Sequence, residues 1–182
     1  MKNIIAAVAV IMTLSAGANA IDWKKPEVGV GLYDAMPQSG QYKDGVKSGM
    51  GLNLSADWNV NDQIMAGVEL GYSFGQDFKN KILGKQYTMD STMIGLRGKY
   101  VKPMDFGSKK GNVYGIVGIG YYMVSYDPSA SFLDDDNKLG LSLGAGANVE
   151  LNANWTAGLE LRVHMVEAAT DLNPMLKAGY KF

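Results

Sequence analysis

The single histidine is the strongest candidate for acid–base chemistry in this sequence. His164 follows Glu160 and Arg162 at intervals of two residues, so the three side chains share one face of an extended strand. A histidine beside a carboxylate can act as general base for a hydroxyl nucleophile. The two residues after His164 are apolar, and only distant serines could approach it: Ser73, Ser125 and Ser131. We therefore predict a structural histidine and no catalytic residues.

A run of oxygen-bearing side chains, Asp134–Asn137, offers the ligands that calcium prefers. The spacing of an EF-hand fails, because Lys138 stands where a ligand belongs and the twelfth position is Ala145. We interpret the run as a solvated acidic loop and predict no metal site. Glycine pairs within residues 118–120 and 144–146 resemble fragments of a dinucleotide fingerprint. They lie inside strand-like segments and do not open a helix, so no cofactor is predicted.

Composition narrows the class of protein. The chain has 182 residues, which fits one domain, and 17 basic residues against 18 acidic ones. This balance gives no electrostatic reason to propose nucleic acid as a partner. The lack of cysteine excludes disulfides, thiolate metal sites and cysteine nucleophiles. The 23 glycines are nearly twice the ordinary frequency of about 7%, and this excess needs an explanation.

The first twenty residues have the pattern of an export signal. Lys2 gives a positive start, Ile4–Leu14 an apolar stretch, and residues 18–20 a small-residue cleavage site. The alternative is an N-terminal helix of the domain, but the small residues before position 20 make a poor helix end. We predict passage through the export translocon and cleavage by signal peptidase after Ala20. The single mature domain would then comprise residues 21–182.

Beyond the signal, apolar and polar residues alternate with a period of two, which predicts strands. The alternation is regular in five segments: residues 50–60, 64–74, 139–151, 155–165 and 175–182. Their apolar faces carry no charge, whereas the opposite faces carry Asp57, Glu69, Glu150, Glu160, Arg162, Lys177 and Lys181. Three further segments alternate less regularly: residues 27–34, 92–100 and 113–123. The last of these is apolar on both faces, and we place Val117 and Tyr121 outward because Gly118 and Gly120 then point inward.

Eight strands of about ten residues match the length that crosses a bilayer at a tilt. A soluble, lipocalin-like barrel is the alternative, and it would turn the polar face to water. That face is dominated by glycine, serine and asparagine, which an open surface does not need but the narrow interior of an eight-stranded barrel does. We therefore predict an all-β, eight-stranded antiparallel up-and-down barrel that crosses a membrane, with its apolar face toward lipid.

The connections predict the orientation of the barrel. Short links at residues 59–62 and 152–154 and a longer turn at 102–112 alternate with longer loops: residues 37–47, 76–86, 127–136 and 167–173. Bacterial barrels keep short turns in the periplasm and long loops outside the cell. Aromatic residues near the strand ends predict two girdles at the membrane interfaces: Trp58, Tyr100 and Trp155 at the turn end, Tyr72, Phe74 and Tyr121 at the loop end.

The last seven residues, Leu176–Phe182, alternate and end in an aromatic residue. They resemble the terminal strand of bacterial outer-membrane proteins, and the chain from about residue 26 resembles the small barrels that include the OmpA transmembrane domain, OmpX and OmpW. The resemblance implies the outer membrane of a Gram-negative bacterium, surrounding lipids and the barrel-assembly machinery as partner. It makes Tyr180 and Phe182 the assembly signal. We also expect a monomer.

Charges on the inner face predict a plugged lumen. The inward acids are Glu27, Asp57, Glu69, Glu150 and Glu160, and the inward bases are Arg97, Lys99, Arg162, Lys177 and Lys181, with His164 among them. Because an unpaired charge is costly in a confined interior, these groups should pair. We expect Arg97 and Arg162 to bridge Glu69 and Glu160 near the middle of the barrel.

Two functions fit this picture. The first is a structural or surface-interaction role for a closed barrel that displays four loops, whose ligand cannot be derived from the sequence. The second is transport of small or apolar solutes, through the lumen or a lateral opening. An enzyme ranks third, because no nucleophile accompanies His164.

Overall fold

The computed structural model describes residues 25–40, 47–79, 86–127, 136–166 and 169–182. These residues form eight strands: β1 (Glu27–Gly40), β2 (Gly49–Asn59), β3 (Ile64–Lys79), β4 (Gln86–Phe106), β5 (Lys109–Asp127), β6 (Asp136–Glu150), β7 (Trp155–Val166) and β8 (Ala169–Lys181). In this part of the chain no helix is long and apolar enough to cross a membrane.

The eight strands close into one barrel. Each strand pairs antiparallel with the next in sequence, and β1 pairs with β8 to complete the ring. Closure leaves no sheet edge along the wall, so the backbone polar groups there have partners within the sheet. The predicted all-β, up-and-down, eight-stranded barrel is confirmed.

The two faces of the wall differ in the way that the alternation predicted. Large apolar side chains point outward and are exposed, for example Leu54 at 52%, Leu143 at 51% and Leu161 at 50%. Polar and charged side chains point inward and are buried, among them Asp57, Glu69 and Arg162. The less regular strand β5 follows the predicted orientation, with Val117 and Tyr121 outward.

Two of the three turns at one end of the barrel have the same structure. In the β2–β3 turn, the Asn61 side-chain oxygen accepts hydrogen bonds from the backbone N–H groups of Gln63 and Ile64, at 2.9 and 2.8 Å. In the β6–β7 turn, Asn152 accepts from Asn154 and Trp155, both at 2.9 Å. Asparagine favours such turns because its side chain replaces a backbone acceptor. We call this end of the barrel the turn end.

Several predicted connections are shorter than the sequence indicated. Residues 102–112 were expected to form a turn, but β4 continues to Phe106 and β5 begins at Lys109, with Gly107 at a positive φ of 66°. The expected loop at 167–173 is largely strand, because β8 begins at Ala169. Prolines and glycines in these segments suggested breaks, whereas the pairing of the neighbouring strand keeps them extended.

Candidate functional site in the barrel lumen

A layer of ion pairs fills the middle of the lumen. The Arg97 guanidinium, on β4, donates from Nε to Asp57 on β2 at 2.8 Å, and a second nitrogen bonds the other Asp57 oxygen. Its third nitrogen donates to Glu69 on β3 at 3.2 Å. The planar fork of arginine suits this two-point contact with a carboxylate.

Arg162 connects opposite walls of the barrel. From β7 it donates to Glu69 on β3 at 2.5 Å, and it also bonds Glu160 on its own strand. The strands β3 and β7 lie four positions apart in a ring of eight, so the contact between Arg162 and Glu69 crosses the lumen. Arg162 is 0% exposed, and its Nε has no hydrogen-bond partner.

Two lysines and a tyrosine extend the layer toward the turn end. Lys99 donates to Asp57 at 2.5 Å, and Lys177 donates to Glu160 at 3.0 Å. The Tyr114 hydroxyl donates to Glu160 at 2.8 Å, and both lysine ammonium groups approach its ring, at 5.2 and 6.0 Å from the centroid. Each ammonium therefore has a carboxylate and an aromatic face as neighbours.

Glycines make these contacts possible. Gly67 lies between Asp57 and Arg97 in the cross-strand register, and a Cβ there would stand 2.2 Å from the Asp57 carboxylate. Gly146 lies between Tyr114 and Glu160 in the same way, with a Cβ position 2.5 Å from the Tyr114 hydroxyl. A long side chain thus crosses one glycine on a neighbouring strand to reach its partner on the strand beyond.

His164 lies nearer to the other end of the barrel, which we call the loop end. Its Nδ1 is 2.5 Å from the Tyr122 hydroxyl. Ser142 faces it in the β6–β7 register, and Asp171 faces it in the β7–β8 register. The structure gives His164 a tyrosine partner and places it 5% exposed among packed side chains.

The serines considered from sequence do not join His164. Ser73 hydrogen-bonds Tyr33 at 3.1 Å and Ser91 at 2.9 Å, and Ser125 is exposed. Ser131 and the acidic run at 134–135 lie outside the described residues. Among the side chains that are described, no group of three or more His, Cys, Asp or Glu could hold a metal ion.

The remaining predicted charges lie at the turn end. Lys181 donates to Glu150 at 2.8 Å, and both side chains are more than a third exposed. Glu27 lies opposite Lys181 in the β1–β8 register. These residues line the mouth of the barrel, and only the inner groups form the layer across the lumen.

The predicted aromatic residues occupy the outer surface. At the turn end, Trp155 and Tyr180 contact edge to face with ring centroids 5.1 Å apart, and Tyr180 and Phe182 do so at 4.9 Å. Tyr100 is also exposed there, and Trp58 is half-buried. At the loop end the structure places Tyr72, Phe74 and Tyr121 outward, with Tyr72 and Phe74 stacked at 6.0 Å.

The sequence reasoning missed the tyrosines of the lumen. Tyr114 and Tyr122 belong to β5, which is apolar on both faces, so no polar alternation drew attention to them. Their even numbers place them on the same face as Gly118 and Gly120, which were predicted to point inward. This shared face with Gly118 and Gly120 was the sequence signal that could have placed both tyrosines in the lumen. The structure also buries Asn53 and Asn173, each with a side-chain oxygen that lacks a hydrogen-bond partner.

A family model described as the outer membrane protein beta-barrel domain matches residues 4–182 of this sequence. The chain belongs to this family. The protein is therefore an outer-membrane protein of a Gram-negative bacterium, and its exposed apolar face is in contact with lipid. No protein among the curated sequences matches the chain.

Solved structures share the fold at low sequence identity. OprG from Pseudomonas aeruginosa has a TM-score of 0.62 at 16% identity, and the match covers 87% of this chain and 95% of OprG. Ail of Yersinia pestis has a TM-score of 0.59 at 17% identity, covering 87% and 98% of the two chains. The E. coli outer membrane protein W has a TM-score of 0.54 at 15% identity, covering 87% and 97%. The resemblance to small eight-stranded barrels is thus confirmed.

Proposed function

We propose that this family member is a closed barrel that acts through the loops it displays, and not by passage through its lumen. The contact between Arg162 and Glu69 carries the proposal, because it joins opposite walls and continues through Arg97 to Asp57. An eight-stranded barrel has an interior just wide enough for side chains, and here charged groups occupy its middle. Removing one partner of such a buried pair costs roughly 3–5 kcal/mol, so spontaneous opening should be rare.

The orientation of the barrel follows from its connections. Short turns of bacterial barrels face the periplasm, so we place the turn end in the periplasm and the loop end outside the cell. The segments at the loop end, residues 41–46, 80–85 and 128–135, would then be the surface-interacting part of the molecule. Ail has been solved in complex with the heparin analogue sucrose octasulfate. Heparin is therefore the first ligand that we would test here.

Single-channel recording in planar bilayers tests the closed lumen. We expect the purified barrel to show no steady, large conductance. The variant Arg162→Ala, checked for folding by its heat-modifiable migration on an unboiled gel, should conduct more than the native chain because it removes the cross-lumen contact. A steady, large conductance from the native barrel would contradict the proposal.

Lateral passage of apolar solutes is a second candidate, favoured by one observation in the wall. The β1–β8 ladder has no pairs between Tyr33–Met175 and Met36–Leu172. Pro174 lies in this interval and has no N–H to give to the ladder. This seam therefore has a local weakness in the half of the barrel near the loop end. The β3–β4 ladder is also interrupted, between Ser73–Ser91 and Gln76–Met89, but that interval contains no proline.

A pair of engineered cysteines tests this second candidate, since the natural chain has none. In the double variant Met36→Cys/Leu172→Cys, the two cysteines would face each other at the edge of the interval. Uptake of an apolar dye into liposomes that falls on oxidation and recovers on reduction would support lateral passage. Equal uptake in both states, or none above protein-free liposomes, would contradict it.

A further inference from the structure

A long apolar groove crosses the lipid-facing surface of the barrel. It is open to the surroundings, and its volume of about 1490 Å³ is spread over all eight strands. At the turn end, Tyr100 on β4 lies beside Gly115 on β5, which lies beside Ala145 on β6. The groove then follows the hydrogen-bonding direction over β7, β8 and β1 to Met50 on β2 and Phe74 on β3. It therefore winds around the wall from the turn end toward the loop end.

Small residues form the floor of this groove and leucines form its walls. A Cβ added at Gly115 would meet no atom within 4 Å, so the space above that residue is open. Ala145 and Ala147 continue the floor on β6. Leu159 and Leu176 stand beside it at 62% and 64% exposure, among the most exposed apolar side chains of the described chain. Hydrocarbon chains are the material that such a surface meets in a membrane.

The two ends of the groove differ in charge. At the turn end it is lined by Tyr100 and Lys102, which share the outward face of β4. Lys102 forms no ion pair with any described residue. At the other end the groove is lined by Asp34 and Ser48. An ammonium beside a phenol attracts a phosphate, whereas a carboxylate repels one.

The height of Lys102 matches that of a lipid headgroup. Tyr100 pairs with Ile64, the first residue of β3, and so marks the level at which the wall ends. Lys102 lies two residues farther along β4, outside the aromatic girdle. A lysine just beyond the girdle reaches the headgroup layer while its stem stays against apolar surface.

From this arrangement we propose that the groove binds one anionic phospholipid of the periplasmic leaflet. Its phosphate lies against Lys102 and Tyr100, and its acyl chains lie along the floor formed by Gly115, Ala145 and Ala147. The assignment of the lipid to the periplasmic leaflet rests on the proposed orientation of the barrel. The site itself does not depend on whether the lumen conducts. A basic side chain near a membrane surface contributes about fivefold to the binding of anionic lipid, which sets the expected effect.

Native mass spectrometry of the barrel released from nanodiscs tests the site. The nanodiscs contain equal amounts of phosphatidylethanolamine and phosphatidylglycerol. We expect the native protein to retain one phosphatidylglycerol, Lys102→Gln to retain about fivefold less, and Gly115→Leu to lose it by filling the floor. Lys110→Gln is the matched control, since it removes the same charge from the opposite face of the hairpin, where Lys110 pairs in register with Asp105.

Three outcomes would overturn the proposal: no preference for phosphatidylglycerol, an equal loss in Lys102→Gln and Lys110→Gln, or full retention by folded Gly115→Leu. If Gly115→Leu does not fold, Ala145→Leu replaces it, with the same expected loss. Lipid retention is measured without any current or surface ligand. Failure here therefore leaves the closed-lumen proposal intact, and a conducting lumen would leave this site intact.

Discussion

Arg162 is a lumen side chain that joins two buried carboxylates from different strands. It is fully buried and contacts both Glu69 and Glu160. An apolar side chain at this position would leave both carboxylates without this hydrogen-bond donor. Buried ion pairs gain little net stability over a well-packed apolar core, but removal of one partner leaves a charge stranded in low dielectric. If the lumen is closed as we propose, the layer is therefore more important for closing it than for adding stability.

We predict that Arg162→Met destabilises the folded barrel by roughly 3–5 kcal/mol, because Glu69 and Glu160 lose their shared partner. Urea unfolding in detergent micelles, followed by tryptophan fluorescence, measures the change. Lys181→Met is the control: its pair with Glu150 is more than a third exposed, so it should cost about 1 kcal/mol or less. If the two variants lost the same free energy of unfolding, burial of the ion pair would not determine the cost of breaking it.

The sequence predicted which charges point inward and part of how they pair, since Arg162 bridges Glu69 and Glu160 as expected. Parity along a strand places Arg97 and Glu69 on the inner face without any knowledge of their neighbours. The partner of each group depends on register between strands, which a single sequence does not contain. Asp57 illustrates this: it bonds both Arg97 and Lys99, and neither pair was predicted. Arg97 contacts the expected Glu69, but Asp57 takes the place of the expected Glu160.

At the scale of the strand, the excess of glycine has a specific explanation. Three rows repeat one arrangement, in which a side chain crosses a glycine to its partner: Asp57–Gly67–Arg97, Tyr114–Gly146–Glu160 and Tyr33–Gly51–Ser73. The sequence indicated only that the interior needs small residues. The structure shows that particular glycines clear the path for particular contacts.

Gly67 on the inner face of the wall and Gly115 on the outer face allow this explanation to be tested. Gly67→Ala should destabilise the barrel by about 1–3 kcal/mol, since its Cβ would meet Asp57 Oδ1 at 2.2 Å and the Ala56 carbonyl oxygen at 2.5 Å. In Gly115→Ala the added Cβ would meet no atom within 4 Å. This variant should leave the stability of the barrel unchanged or raise it by up to about 1 kcal/mol. Urea midpoints compare the two, and equal shifts would contradict the crossing role.

The length of the strands was underestimated where proline or glycine interrupts the alternation. β4 and β5 have 21 and 19 residues, against about ten predicted from the span of a bilayer. Pro103 and Gly111 suggested a turn, yet they face Asn112 and Met104 across an unbroken ladder. Pairing with one neighbour is sufficient to keep a hairpin extended beyond the wall of the barrel.

The terminal strand carries a prediction about assembly. Tyr180 and Phe182 are in contact on the outer surface at the turn end, and Phe182 is 65% exposed, so its ring adds little to packing. Deletion of Phe182 should slow insertion and let unfolded protein accumulate in the periplasm. The heat-modifiable folded band on an unboiled gel measures this in cells, with Phe106→Ala as a control for loss of another exposed aromatic at the same end. An unchanged folded fraction would contradict an assembly role.

At the scale of the whole molecule, closure and polarity are what the sequence predicts best. The strands share one rule on the outer face, which is apolar, while the inner face is mostly small, polar or charged with a few apolar side chains such as Met93 and Ile116. Errors in single strands therefore do not change the architecture. What the sequence leaves open is asymmetry around the ring: the interval at Pro174 in one seam and the groove over β5 and β6. Both depend on which strands become neighbours and at which height.

The orientation of the barrel in the cell is the last property that can be tested. The short turns at residues 60–63 and 151–154 share an end with both described termini, Lys25 and Phe182. If this end is periplasmic, a chymotrypsin-like protease added to intact cells should cut the chain after Tyr42 or Phe132, which lie in the segments at the other end. It should spare Phe106, which precedes the β4–β5 turn. Permeabilised cells provide the control, because Phe106, at 37% exposure, should then become a site of cleavage. Cleavage at Phe106 in intact cells, with Tyr42 and Phe132 protected, would invert the orientation and move the proposed lipid site to the outer leaflet.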